Sequence, residues 1–113
     1  MPHPDPGACL LDIRQAAASI ASFIEGMDES AFHEDKKTQA AVQHQIMIIG
    51  EAAKRLPHTF CKEHAHIPWS AIARMRDRLI HGYATVDLGV VWTTAAEGVP
   101  TLSRAIDACW KSE

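Results

Sequence analysis

Disulfide pairing, a secretory leader, a membrane span and β-strand alternation each leave a mark on a sequence, and this chain of 113 residues carries none of them. Its three cysteines, Cys9, Cys61 and Cys109, are odd in number and far apart. They read as reduced thiols, not as a disulfide framework. The opening Met1-Pro2-His3-Pro4-Asp5-Pro6 has no basic region and no uninterrupted apolar stretch, which argues against a secretory signal. No window approaches the roughly 18 consecutive apolar residues of a membrane helix. A cytoplasmic protein is therefore expected. There is no sustained apolar–polar alternation and no Asn-Gly hairpin, which argues against a β-sheet domain. An excess of positive charge is missing too: the formal net charge is −3, whereas a general nucleic-acid binder is usually basic. DNA is not an expected partner.

What remains is ordinary for a soluble helical domain. At 47% hydrophobic and 22% charged residues, the chain can build one modest core, and a single domain over residues 1–113 is expected. Leu10, Ile13, Ala17, Ile20 and Ile24 recur at three- and four-residue steps, the stripe of an amphipathic helix, with Gly26 and Asp28 closing it. Ser30-Ala31-Phe32 suggests a short turn or one helical turn. Val42, Ile46, Ile49, Ala53 and Leu56 mark a long helix from about Asp35 to Leu56, stopped by Pro57. Pro57 to His66 reads as a histidine-rich loop. Pro68 suits the first turn of a third helix, which ends near Gly82, expected as a left-handed terminator. Asp87 can cap a fourth helix. Gly98-Val99-Pro100 interrupts that helix, yet Leu102, Ile106 and Cys109 continue its stripe, so a kink is expected and not a new domain. Four long helices with short connections give an all-α, antiparallel four-helix bundle with a kinked C-terminal helix.

The densest chemistry lies in Arg74-Met75-Arg76-Asp77-Arg78-Leu79-Ile80-His81-Gly82-Tyr83. Arginine is a fixed cation whose planar fork matches phosphate geometry, and histidine exchanges protons near neutrality. RNA brings its own nucleophile, the ribose 2′-hydroxyl, so a base, an acid and charge stabilisation suffice for cleavage without a metal or cofactor. In that reading His81 moves the proton and Arg76 pairs with phosphate oxygens. Arg74 and Arg78 grip neighbouring phosphates, and Asp77, four residues before His81, orients the imidazole. The plainer readings are a solvated arginine face, a surface Asp77–His81 pair and a half-buried Tyr83. Arg76 and His81 also lie about 140° apart on a regular helix. A two-fold dimer lining one cleft with both motif helices would resolve this and supply two histidines.

Two further features bear on the site. Glu51 interrupts an apolar stripe, as an exposed acid or as a buried carboxylate paired with an arginine of the motif helix; the paired form is expected, as structural support. His58, Cys61, His64 and His66 offer zinc-type ligands but match no standard spacing, and no metal site is assigned. Trp69, Trp92 and Trp110 read as core or interface packing.

Arg76, His81 and Tyr83 spell R-x4-H-x-Y, which resembles the signature of the HEPN ribonuclease superfamily in the form carried by HepT-like toxins. Leu11-Asp12-Ile13, Ile49-Gly50-Glu51-Ala52-Ala53, Ile67-Pro68-Trp69, Val86-Asp87 with Val91-Trp92, and Val99-Pro100-Thr101-Leu102 follow in the family's order, so that residues 9 to 110 are covered. One departure is His64-Ala65-His66, where the family often has a proline. The resemblance implies a HEPN bundle, a homodimer with the motif at its interface, and RNA cleavage catalysed by Arg76 and His81. It also implies a minimal nucleotidyltransferase antitoxin that transfers AMP to Tyr83, placing charge and bulk in the RNA cleft. The alternative from another class is a non-catalytic helical adaptor that binds a nucleotidyltransferase or presents nucleotides to it.

Overall fold

The computed structural model describes residues 6–82 and 86–111, the last two as helical backbone only. Helix α1 spans Pro6–Phe23, α2 Glu29–Glu34, α3 Lys36–Arg55, α4 His58–Glu63, α5 Trp69–His81, α6 Leu88–Thr93 and α7 Val99–Lys111, with a π-helical turn at Thr94–Gly98 joining the last two. No strand occurs among the described residues. Four long helical segments form an all-α bundle, α3 packing on α1 and on α5, and α1 packing on α7.

Local chemistry sets the helix ends. Gly26 adopts φ +77°, a backbone region that glycine occupies without a Cβ penalty, and turns the chain after α1. Asp28 starts α2, its side chain accepting from the Ala31 N–H at 2.8 Å. Asp35 does the same for α3, accepting from the Thr38 N–H at 3.0 Å and its hydroxyl at 2.8 Å. Asp87 caps α6 through the Gly89 N–H at 2.8 Å. Each satisfies donors that the first helical turn cannot.

The core takes the expected stripes. Leu10, Ile13 and Ile20 of α1, Val42, Ile46 and Ile49 of α3, Val91 of α6 and Leu102, Ile106 and Cys109 of α7 are all buried. Arg55 meets Asp12 at 3.1 Å and Arg14 meets Asp107 at 3.0 Å. The end of α3 thus meets the first half of α1, and Asp107 of α7 meets its middle.

Two local expectations are corrected and a third is given its physical form. Residues after Pro57 are not a loop: His58–Glu63 is helical, because Phe60 is buried and stacks with the His64 ring at 4.4 Å and the Trp69 ring at 6.2 Å. Burying an aromatic gives a short segment reason to fold. Gly82 ends α5 at φ −124° and ψ 27°, outside the left-handed region, with its N–H donating to the Arg78 carbonyl. The expected kink before Pro100 takes the form of a π-helical turn at Thr94–Gly98, after which the chain continues as α7; such turns are a recognised source of helix bends.

Phe32 is fully buried although α2 is only six residues long, and its ring lies 5.5 Å from that of Trp92. The Gln39 side-chain amide donates to the Phe32 and His33 carbonyls at 2.9 and 3.0 Å. Removing the ring leaves a void beneath α2, so Phe32→Ala should cost about 3–5 kcal/mol, while Phe32→Leu should cost less. Chemical denaturation of both variants measures this.

Candidate active site on helix α5

Helix α5 is amphipathic, and of its 13 residues only Leu79 is buried. It therefore presents most of its polar side chains outward while resting on α3. The two helices come into tight contact at Gly50. A Cβ built there would collide with the Arg76 Cβ and lie 2.8 Å from its Cγ and 3.3 Å from the Ile72 carbonyl.

From that contact the Arg76 side chain runs along α3. Its Nη2 donates to Glu51 Oε2 at 2.7 Å and its Nη1 to Asp77 Oδ1 at 3.0 Å. The same Asp77 oxygen accepts from Lys54 Nζ at 3.3 Å. Two cations and two anions thus alternate across the α3–α5 seam. The side chain of Arg76 is 22% exposed, that of Glu51 51%. Glu51 is paired with the motif helix as expected, but at the surface and not buried. The Asp77 carboxyl sits below the usual carboxylate range because Arg76, then Lys54, hydrogen-bond its charged form. The Arg76 guanidinium is held above its ordinary value by the Asp77 hydrogen bond, with the Glu51 charge adding to it. It stays cationic throughout the pH range of enzymes.

His81 lies on another side of α5. It is exposed and borders a cavity of about 590 Å³ between α5 and α6, where Asp77, Arg78, Leu79, Val86 and Val90 also appear. The structure therefore brings His81, Arg78 and Asp77 to one concavity and leaves Arg76 on the α3 side, as the helical angle requires. Arg74 is exposed and does not line this cavity. Asp77 departs from its expected partner: its carboxylate is hydrogen-bonded to Arg76 and Lys54, and no hydrogen bond to His81 occurs among the described residues. Two cationic donors, from Arg76 and Lys54, occupy that carboxylate in place of the imidazole. Tyr83 falls within residues 83–85, outside the described residues.

The histidine-rich segment is used for packing. His64 Nδ1 lies 3.2 Å from Cys109 Sγ, its carbonyl accepts from Trp69 Nε1 at 3.1 Å, and burial pushes the Cys61 thiol up. Sequence reasoning missed Lys54 and gave Gly50 no role. A glycine inside a helix, with a lysine one turn further on the same face, was the available signal.

An all-α bundle carrying an arginine–carboxylate cluster and a nearby histidine on one exposed helix defines the class, and relatives define it further. Residues 13–109 match the family described as Ribonuclease HepT-like. The chain belongs to this HepT-like ribonuclease family. It is 46% identical over 93 residues to "Probable ribonuclease HepT" of Thermococcus cleftensis, covering 82% of this chain and 84% of that protein. A protein of Methanocaldococcus jannaschii named as an RNase is 37% identical over 107 residues, 95% of this chain and 88% of its own length. Another so named, from Caldanaerobacter subterraneus, is 32% identical over 108 residues, 96% of each chain. No solved structure matches the chain. No described helix is long and apolar enough to cross a membrane.

The lowered pKa of Asp77 has a consequence for stability. A carboxyl whose folded value lies below its unfolded value contributes stability above the unfolded value, and that contribution is lost as pH falls through the folded one. Wild-type protein should therefore lose stability more steeply than the Asp77→Asn variant as pH drops below the usual carboxylate range. The gap between the two is largest near neutrality and closes in acid. Denaturation midpoints across pH 2 to 7, roughly the range where carboxyls titrate, test the sign.

Proposed function

We propose that this protein is a metal-independent endoribonuclease toxin, active as a homodimer and restrained by a minimal nucleotidyltransferase antitoxin. The observation that carries the reading is the arginine–histidine pair of R-x4-H-x-Y on an exposed helix, with Arg76 anchored by Glu51 and Asp77, in a chain of the HepT-like ribonuclease family. The 2′-oxygen attacks phosphorus, the bond from phosphorus to the 5′-oxygen breaks, and a 2′,3′-cyclic phosphate forms. One His81 takes the 2′ proton and the other, from the second protomer, protonates the departing 5′-oxygen. Arg76 offers its remaining N–H groups to the non-bridging oxygens as charge gathers there, while Arg78 and Arg74 hold adjacent phosphates.

The dimer is supported by the separation of Arg76 and His81 around α5 and by apolar side chains left outward beside them. Ile80 on α5 is 39% exposed and Val90 on α6 is 42% exposed. Control through AMP transfer to Tyr83 is supported by its chain neighbours, since Gly82 and Val86 both border the cavity that holds His81 and Arg78. A nucleotide attached to Tyr83 adds negative charge, which opposes phosphate binding.

Purified His81→Ala protein should lose RNA cleavage by about 10²- to 10⁴-fold, the usual worth of general acid–base catalysis, with its melting temperature retained. Arg76→Lys should also be poor, because lysine lacks the bidentate fork. Cleavage should persist in EDTA and leave cyclic phosphate ends. Full activity in both variants, or a strict magnesium requirement with 5′-phosphate products, overturns the mechanism. Excess His81→Ala protein mixed with wild type should depress activity beyond dilution if protomers share the site.

Incubation with the cognate nucleotidyltransferase and ATP should add AMP mass to Tyr83 and abolish RNA binding without unfolding the bundle. Tyr83→Phe should fold and resist that neutralisation. Mass spectrometry that places AMP on another residue refutes the switch.

A further inference from the structure

We infer that Gly50 and Lys54 of α3 are positioning residues for Arg76, Gly50 by the space it leaves and Lys54 by fixing Asp77. The inference rests on the catalytic reading of Arg76 given above and deepens it.

Glycine is among the least favourable residues in a helix interior, and Gly50 sits in the last third of α3. Its backbone does not need glycine: among the described residues only Gly26 has positive φ. What it provides is room. An added Cβ would meet the Arg76 Cβ and Cγ and the Ile72 carbonyl. Those atoms are the root of a side chain and a helix backbone, and neither can swing aside as the end of a flexible side chain can. Relief requires α5 to move off α3 at the very residue whose guanidinium is to meet phosphate. A displacement of that size at a charge-stabilising group is costly to catalysis.

Lys54 lies one turn beyond Gly50 on the same face. It reaches across the seam to Asp77 Oδ1, the oxygen that also accepts from Arg76. Two effects follow. Asp77 is pinned, so Arg76 is braced from both sides by Glu51 and Asp77. The lysine charge also offsets one of two carboxylates that would otherwise repel an incoming phosphate. The Lys54 side chain is 44% exposed, so replacing it opens no hole in the core, and its effect on folding should be that of an ordinary surface substitution.

The test uses the full-length protein, a fluorophore-labelled RNA oligonucleotide, and kcat and KM measured beside thermal melting. Lys54→Met should lower kcat about tenfold, with a smaller rise in KM from the lost positive charge and a melting temperature close to wild type. Lys54→Arg should restore most of kcat. Gly50→Ala should lower kcat at temperatures where the variant is fully folded. An unchanged kcat in Lys54→Met, or a loss that Lys54→Arg fails to restore, overturns the inference, and the Lys54 pair decides it even if Gly50→Ala does not fold. Arg76→Lys measured in parallel separates the two levels. If that variant is impaired while Lys54→Met is not, the positioning role alone fails. If Arg76→Lys is fully active, the catalytic reading fails with it.

Discussion

Helix α3 has a neighbour on each side, α1 across one face and α5 across another, and the bundle depends on both contacts holding at once. Val42, Ile46 and Ile49 of α3 are at most 4% exposed, which makes this helix the spine on which the others gather. Hydrophobic burial of this kind is undirected and does not by itself fix how one helix is rotated against the next. Close packing does. Here the rotation of α5 is set by the backbone-level approach at Gly50, and everything on α5 inherits its heading from that point.

The charges beside that contact show how a fixed cation can be held ready without being neutralised out of use. Arg76 spends one terminal nitrogen on Glu51 and the other on Asp77, and Lys54 returns a positive charge to the cluster. The result is an array close to neutral whose members are only partly withdrawn from solvent. Arg78 and His81, on the cavity side, lie outside this array. The helix thus separates a braced arginine from an exposed face that carries Arg78 and His81, and Asp77 is the residue that touches both.

Much of this was legible in the sequence. The apolar stripes placed α1 and α3 and the cap at Asp87, because three- and four-residue spacing and short acidic caps are local signals. Glu51 paired with the motif helix because a lone acid in an apolar stripe seeks a cation. The α4 turn was not legible, since Phe60 folds it by meeting His64 and Trp69, and that meeting is tertiary. The Asp77–His81 expectation failed for the same reason: spacing along one helix cannot reveal Lys54 arriving from another. The angular separation of Arg76 and His81 was readable from helical geometry alone, and it stands.

Helix α5 fully buries one side chain, Leu79, packs Ile72 and Met75 against the core and has α3 as its main neighbour. The segment bearing the R-x4-H motif is thus anchored along one side and open along the other. Anything that covers the open side, whether nucleic acid or protein, stabilises the folded helix by binding it. The amides of α5 become a natural reporter of occupancy, exchanging more slowly with solvent when that side is covered.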